Sequence, residues 1–90
     1  MAEIIDRNKV KVMLTGAKHM APKDVLLRIE LHTDRNGQFY GTMDRVGNNE
    51  PMWRTSESYV RKEDAEYACA LLIYQGLKCS YTDKTLDLHS

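Results

Sequence analysis

Asn48-Asn49-Glu50-Pro51-Met52-Trp53-Arg54-Thr55-Ser56-Glu57-Ser58-Tyr59-Val60-Arg61-Lys62-Glu63-Asp64-Ala65 reads as a turn, a short strand and a helix entry, and that order fixes an architecture. Asparagine tolerates the left-handed backbone of a tight turn, and Met52 to Thr55, carrying Trp53, follows as a strand. Glu63, Asp64 and Glu66 then crowd a helix start, where carboxylates favour the positive end of the dipole. Ala65, Ala68, Cys69, Leu72 and Ile73 recur at i, i+3, i+4, i+7 and i+8, the spacing of one buried stripe. Lys62 to Gln75 is therefore expected to be helical, with Gly76 suited to a left-handed cap.

Upstream, Val25, Leu27, Ile29 and Leu31 alternate with Leu26, Arg28, Glu30 and His32, so Val25 to His32 reads as a strand with one apolar face. Thr33-Asp34-Arg35-Asn36-Gly37 supplies a hairpin, since Asn and Gly both accept positive φ. Gln38 to Asp44 returns, with Phe39, Gly41 and Met43 on one face. Lys9-Val10-Lys11-Val12-Met13-Leu14 also alternates and is expected to be a strand with Val10, Val12 and Leu14 inward. Thr15 to Lys23, with Gly16 and Pro22, reads as a loop, and residues 1–8 as a lead-in. Downstream, Leu77 to Thr82 alternates, and Leu86 to Leu88 is expected to form a last short strand.

The expected fold class is α+β: an antiparallel β-meander with one helix packed on one face, in the order β-β-β-β-α-β(-β) within a single domain spanning 9–88. A helix with one apolar stripe must bury it against the apolar face of a sheet.

Ninety residues accommodate one small core. Hydrophobic residues make up 42% and charged residues 29%, the balance of a globule rather than a disordered chain. The formal net charge is +0, which argues against a life on nucleic acid, where a basic excess is the rule. The charge is uneven: six basic residues and one acid lie between Arg7 and Arg28, whereas six acids and four bases follow from Glu57 onward. No apolar run approaches the ~20 residues that span a bilayer, so no membrane partner is expected. Acids near the start do not suit a secretion signal, and a cytosolic setting is expected, in which Cys69 and Cys79 stay reduced and buried.

Asn48-Asn49-Glu50-Pro51-Met52-Trp53, then Ser56-Glu57-Ser58-Tyr59, then Lys62 and Ala65, resembles the repeat of the YegP-like family of small α+β proteins, with Phe39 to Asp44 similar to its upstream strand. The resemblance covers residues 37 to 75. Asn49 stands where the family repeat has glycine, and the Phe39 strand lacks the family's basic residues. The resemblance implies a three-stranded meander plus helix, often paired with a second copy, and brings no reaction with it.

Chemistry-bearing residues are scattered. His19, His32 and His89 share no metal-ligand spacing, so neither metal nor cofactor is expected. Neither cysteine has the exposed, activated setting of a nucleophile, Gly47 stands alone without a phosphate loop, and no catalytic residue is assigned. The expected function is a non-catalytic protein-interaction module, either a homodimer or an inhibitor that binds a larger protein. Its candidate contact residues are Tyr40, Trp53, Arg54, Tyr67 and Tyr74, since aromatic and arginine side chains suit half-wet interfaces. The alternative is nucleic-acid binding through the sheet, as in the arm-binding domains of integrases, which a meander followed by a helix resembles; Lys9, Lys11, Arg28, Arg45 and Arg54 would then meet phosphates.

Overall fold

A computed structural model describes residues 5–47, 51–55, 57–75 and 78–85. In chain order these form α1 (Arg7–Lys18), a 3-10 turn (Pro22–Asp24), β1 (Leu27–Thr33), β2 (Phe39–Arg45), β3 (Pro51–Arg54), α2 (Lys62–Tyr74) and β4 (Cys79–Asp83). The expected Gly76 cap and the strand Leu86 to Leu88 lie outside the described residues.

The hairpin is the one its sequence requires. β1 and β2 run antiparallel from Leu27 opposite Arg45 to Thr33 opposite Phe39. Asp34 closes the turn: its backbone N–H donates to Gln38 O at 2.8 Å, and its carboxylate accepts from the N–H groups of Asn36 and Gln38. Gly37 takes φ of +78°, the left-handed conformation that glycine enters without steric cost. β3 adds antiparallel to β2, with a register irregularity between Met43 and Asp44. Tyr59 continues that side as an isolated bridge to Phe39, with both backbone hydrogen bonds at 2.7 Å.

Two expectations are corrected. Residues 9–14 are not a strand but the middle of α1. Their alternation is also compatible with a helix: Val10, Leu14 and Ala17, at i, i+4 and i+7, are the buried positions, whereas Val12 is 70% exposed. Asp6 supplies the start, its carboxylate accepting from Lys9 N–H at 2.8 Å. Residues 5–8, expected in a lead-in, are tied down accordingly, and Ile5 is buried.

The second correction concerns the sheet. Its order is β3-β2-β1-β4, and β4 lies parallel to β1, from Leu27 beside Cys79 to Leu31 beside Asp83. The meander is therefore three-stranded, and the sheet is mixed. α2 carries the chain back over β2 and β1, the long crossover that a parallel neighbour demands.

Both helices pack on the same side. Ile29, Leu31 and Met43 of the hairpin meet Cys79 and Tyr81 of β4, Val10, Leu14 and Ala17 of α1, and Ala65, Cys69 and Ala70 of α2. Ala70 is buried beside the expected stripe because α2 touches α1 as well as the sheet. The basic and acidic segments meet here: Arg7 donates to Asp64 at 3.2 Å and to the Glu63 carbonyl at 3.0 Å.

Candidate functional site: the uncovered face of the sheet

Alternation sends Arg28, Glu30 and His32 of β1, Tyr40, Thr42 and Asp44 of β2, and Arg54 of β3 away from the core, to the side that neither helix covers. These side chains hold one another. Arg28 donates to Asp44 at 2.8 Å, and Glu30 stands 4.0 Å from the same guanidinium. The hydrogen bond and the charge of Asp44 push the pKa of Arg28 further up. His32 stacks on Tyr40 with ring centroids 5.2 Å apart, and the Arg54 guanidinium lies 4.2 Å from the Tyr40 centroid on the same aromatic system. The result is a ladder, Arg54 and His32 on Tyr40, beside a compensated set of ionic groups.

His32 Nε2 is 3.2 Å from Glu30 Oε1 and 3.3 Å from Thr42 Oγ1. A proton relay needs the acid on one ring nitrogen and the hydroxyl on the other. Here a single nitrogen faces both, so the contacts position the imidazole rather than activate the hydroxyl.

The same face ends in apolar side chains. Val46 N–H donates to Leu26 O at 3.1 Å, which sets these residues side by side past the Arg28–Asp44 pair. Leu26, Val46 and Met52 are 65%, 43% and 49% exposed, and with Val25, Leu27 and Arg45 they line a cleft of about 480 Å³.

Of the residues expected to contact a partner, Tyr40 and Arg54 come together on this face. Trp53 points the other way and packs against the core. Tyr67 lies in the seam between the helices, its hydroxyl 3.5 Å from Ile5 N–H and its ring 5.3 Å from the Arg7 guanidinium. Tyr74 is exposed at the end of α2. The nucleic-acid set is divided too. Lys9 and Lys11 project from α1 on the helical side, Arg28 is bound to Asp44, Arg45 borders the apolar cleft, and Arg54 covers Tyr40. The apolar end of the face was not singled out from sequence, although Leu26 on the polar side of β1 was its signal.

A second polar group lies beneath α2. Lys62 Nζ is 2.7 Å from Asp83 Oδ2, and Thr85 donates to the same carboxylate from its backbone and hydroxyl. Burial pushes the Cys69 thiol up to about 12 and raises Cys79 as well, the reverse of what a nucleophile needs. Among the described residues, no three His, Cys, Asp or Glu side chains converge as a metal site would require, and no helix is long and apolar enough to cross a membrane.

Compared with protein-family models, curated proteins and solved structures, the chain matches none.

Proposed function

We propose that the protein is a small non-catalytic interaction module that recognises a partner protein through the uncovered sheet face, with Tyr40 and Arg54 at its centre. The observation that carries this reading is the arrangement of the face itself. Two guanidinium groups, Arg28 and Arg54, stand with two carboxylates, Glu30 and Asp44, so a polyanion meets no net attraction there. Aromatic and arginine side chains dominate the energetics of protein interfaces when they are held rigid and shielded from water. Tyr40 is held by His32 on its ring and by Arg54, so little side-chain freedom remains to be lost on binding. The buried, free Cys69 and Cys79 suit a reducing, cytosolic setting. Kinship with the YegP-like family belongs to the same proposal, supported by the order β2, β3, α2 over residues 39–74.

The test is affinity capture from host lysate on wild-type protein and on Tyr40→Ala and Arg54→Ala variants, read alongside the light-scattering mass. The expected result is a protein retained by the wild type and lost from both variants. A monomer that retains nothing on this face overturns the reading. The second reading, nucleic-acid binding, is favoured by the Arg54–Tyr40–His32 ladder, on which a base can stack. It requires an affinity that falls steeply with salt, and a titration at low salt with no shift removes it.

A further inference from the structure

We propose that the cleft between Leu26, Val46 and Met52 is the anchor pocket of this module, and that it takes an apolar side chain from a partner segment that sets a carboxylate against Arg45. This rests on the protein-binding reading and names the chemistry of its partner. Three large apolar side chains around one cleft of about 480 Å³ are left in water at a cost that a partner side chain removes. They sit on a rigid frame: Leu26 N–H donates to Lys78 O at 3.1 Å, and its carbonyl accepts from Val46 N–H, so the mouth is fixed by β1, β2 and the approach to β4.

Charge selects the occupant. Arg45 lines the cleft, is exposed, and forms no ion pair among the described residues. Lys78, also exposed, stands at the same end, its carbonyl accepting from Leu26 N–H, and Asp44 is engaged by Arg28. A basic rim around an apolar floor is complementary to an acidic segment with an apolar anchor. Aspartate or glutamate beside a leucine, methionine or phenylalanine meets both requirements; a nucleic acid leaves the apolar floor unfilled.

The probe is a phage-displayed library of random linear peptides panned on the immobilised full chain. Enriched peptides are then synthesised and titrated onto the wild type and variants by fluorescence anisotropy. The expected consensus pairs a bulky apolar residue with a neighbouring acid. Val46→Glu abolishes binding, and Arg45→Glu weakens it on the order of tenfold while Arg45→Lys retains most of it. Both positions are exposed, and unchanged thermal melts certify the fold. No enrichment, a consensus without acids, or Val46→Glu binding like the wild type overturns the proposal. So does a wild-type dimer that Val46→Glu splits, because a second copy then owns the cleft. The two surfaces separate cleanly with the lysate partner. Loss with Tyr40→Ala alone refutes the cleft and leaves the interaction face standing; loss with Val46→Glu alone supports the cleft and refutes the role of Tyr40.

Discussion

Gly41 faces the thiol of Cys69 across the sheet–helix interface so closely that a Cβ at Gly41 would lie 2.7 Å from Sγ. Both positions are buried, Cys69 completely. The glycine is thus required by contact rather than by backbone conformation. Gly41→Ala displaces the Cys69 thiol from its place in the packed interface and is expected to destabilise by about 1–3 kcal/mol, as overpacking does. Cys69→Ala removes the obstructing atom, so the double variant is expected to be more stable than the two single losses added together. Urea unfolding of the four proteins measures the coupling, and strict additivity refutes the contact.

Asp6 makes α1 a helix, and its substitution tests the corrected element directly. Its carboxylate satisfies the Lys9 N–H, one of the donors a helix start leaves without a partner. Asp6→Ala is expected to cost about 1 kcal/mol, seen as a lower midpoint in thermal unfolding followed by circular dichroism. Had residues 9–14 been a strand, the substitution would be neutral.

The contrast between α1 and the hairpin shows what can be read from sequence and why. β1 and β2 were legible because Ile29 and Leu31 alternate with Arg28, Glu30 and His32, and Asn36-Gly37 favours a tight turn. α2 was legible from its acidic start and its stripe. Val10, Val12 and Leu14 fit two periods at once; only tertiary burial of Ala17 with Val10 and Leu14 decides between them. With residues 9–14 in a helix on the face of the sheet, the edge beside β1, where a further antiparallel strand was expected, is taken by β4, and the α2 crossover makes it parallel. On the site, Tyr40 and Arg54, grouped from sequence, lie on neighbouring strands and meet on one face, whereas alternation turns Trp53, grouped with them, to the opposite side. The cleft escaped because its three side chains come from separate segments, and no local pattern unites Leu26 with Val46 and Met52.

The two thiols and Tyr81 predict an alkaline limit to stability. Burial raises Cys69 from 9.0 to about 12 and pushes the Tyr81 hydroxyl up too, so the folded state holds protons that the unfolded chain releases. Below about 9 the contribution is complete. Above it the unfolded state loses protons first, and stability falls as pH rises toward the folded values. The denaturation midpoint is expected to decline from pH 9 upward, and Cys69→Ala is expected to flatten that decline. Because the thiolate is the reactive form, alkylation at pH 8 followed by mass spectrometry is expected to leave both cysteines unmodified until denaturant is added. Labelling of the native protein at Cys69 contradicts its burial.

Asp83 sets the opposite limit, in acid. Burial alone would raise its pKa, but the Lys62 ammonium at 2.7 Å and the donors of Thr85 hold it below the usual carboxylate value. A lowered carboxyl contributes stability that is complete above the unfolded value of 3.8 and is lost as pH falls through the folded one. Lys62 is 33% exposed, whereas the Asp83 side chain is only 6% exposed, so removal of the lysine leaves the carboxylate enclosed with one fewer partner. Lys62→Met is expected to cost about 1–3 kcal/mol at neutral pH. That difference shrinks as pH drops below 3.8, because a protonated Asp83 no longer attracts the ammonium. Asp83→Asn should remove most of the acid dependence at this site and make Lys62→Met nearly neutral. Chemical unfolding of the four proteins at pH 7 and in acid measures this cycle. A Lys62→Met loss that persists unchanged in acid, or in the Asp83→Asn background, assigns the effect to packing of the lysine stem instead of to the ion pair that joins α2 to β4.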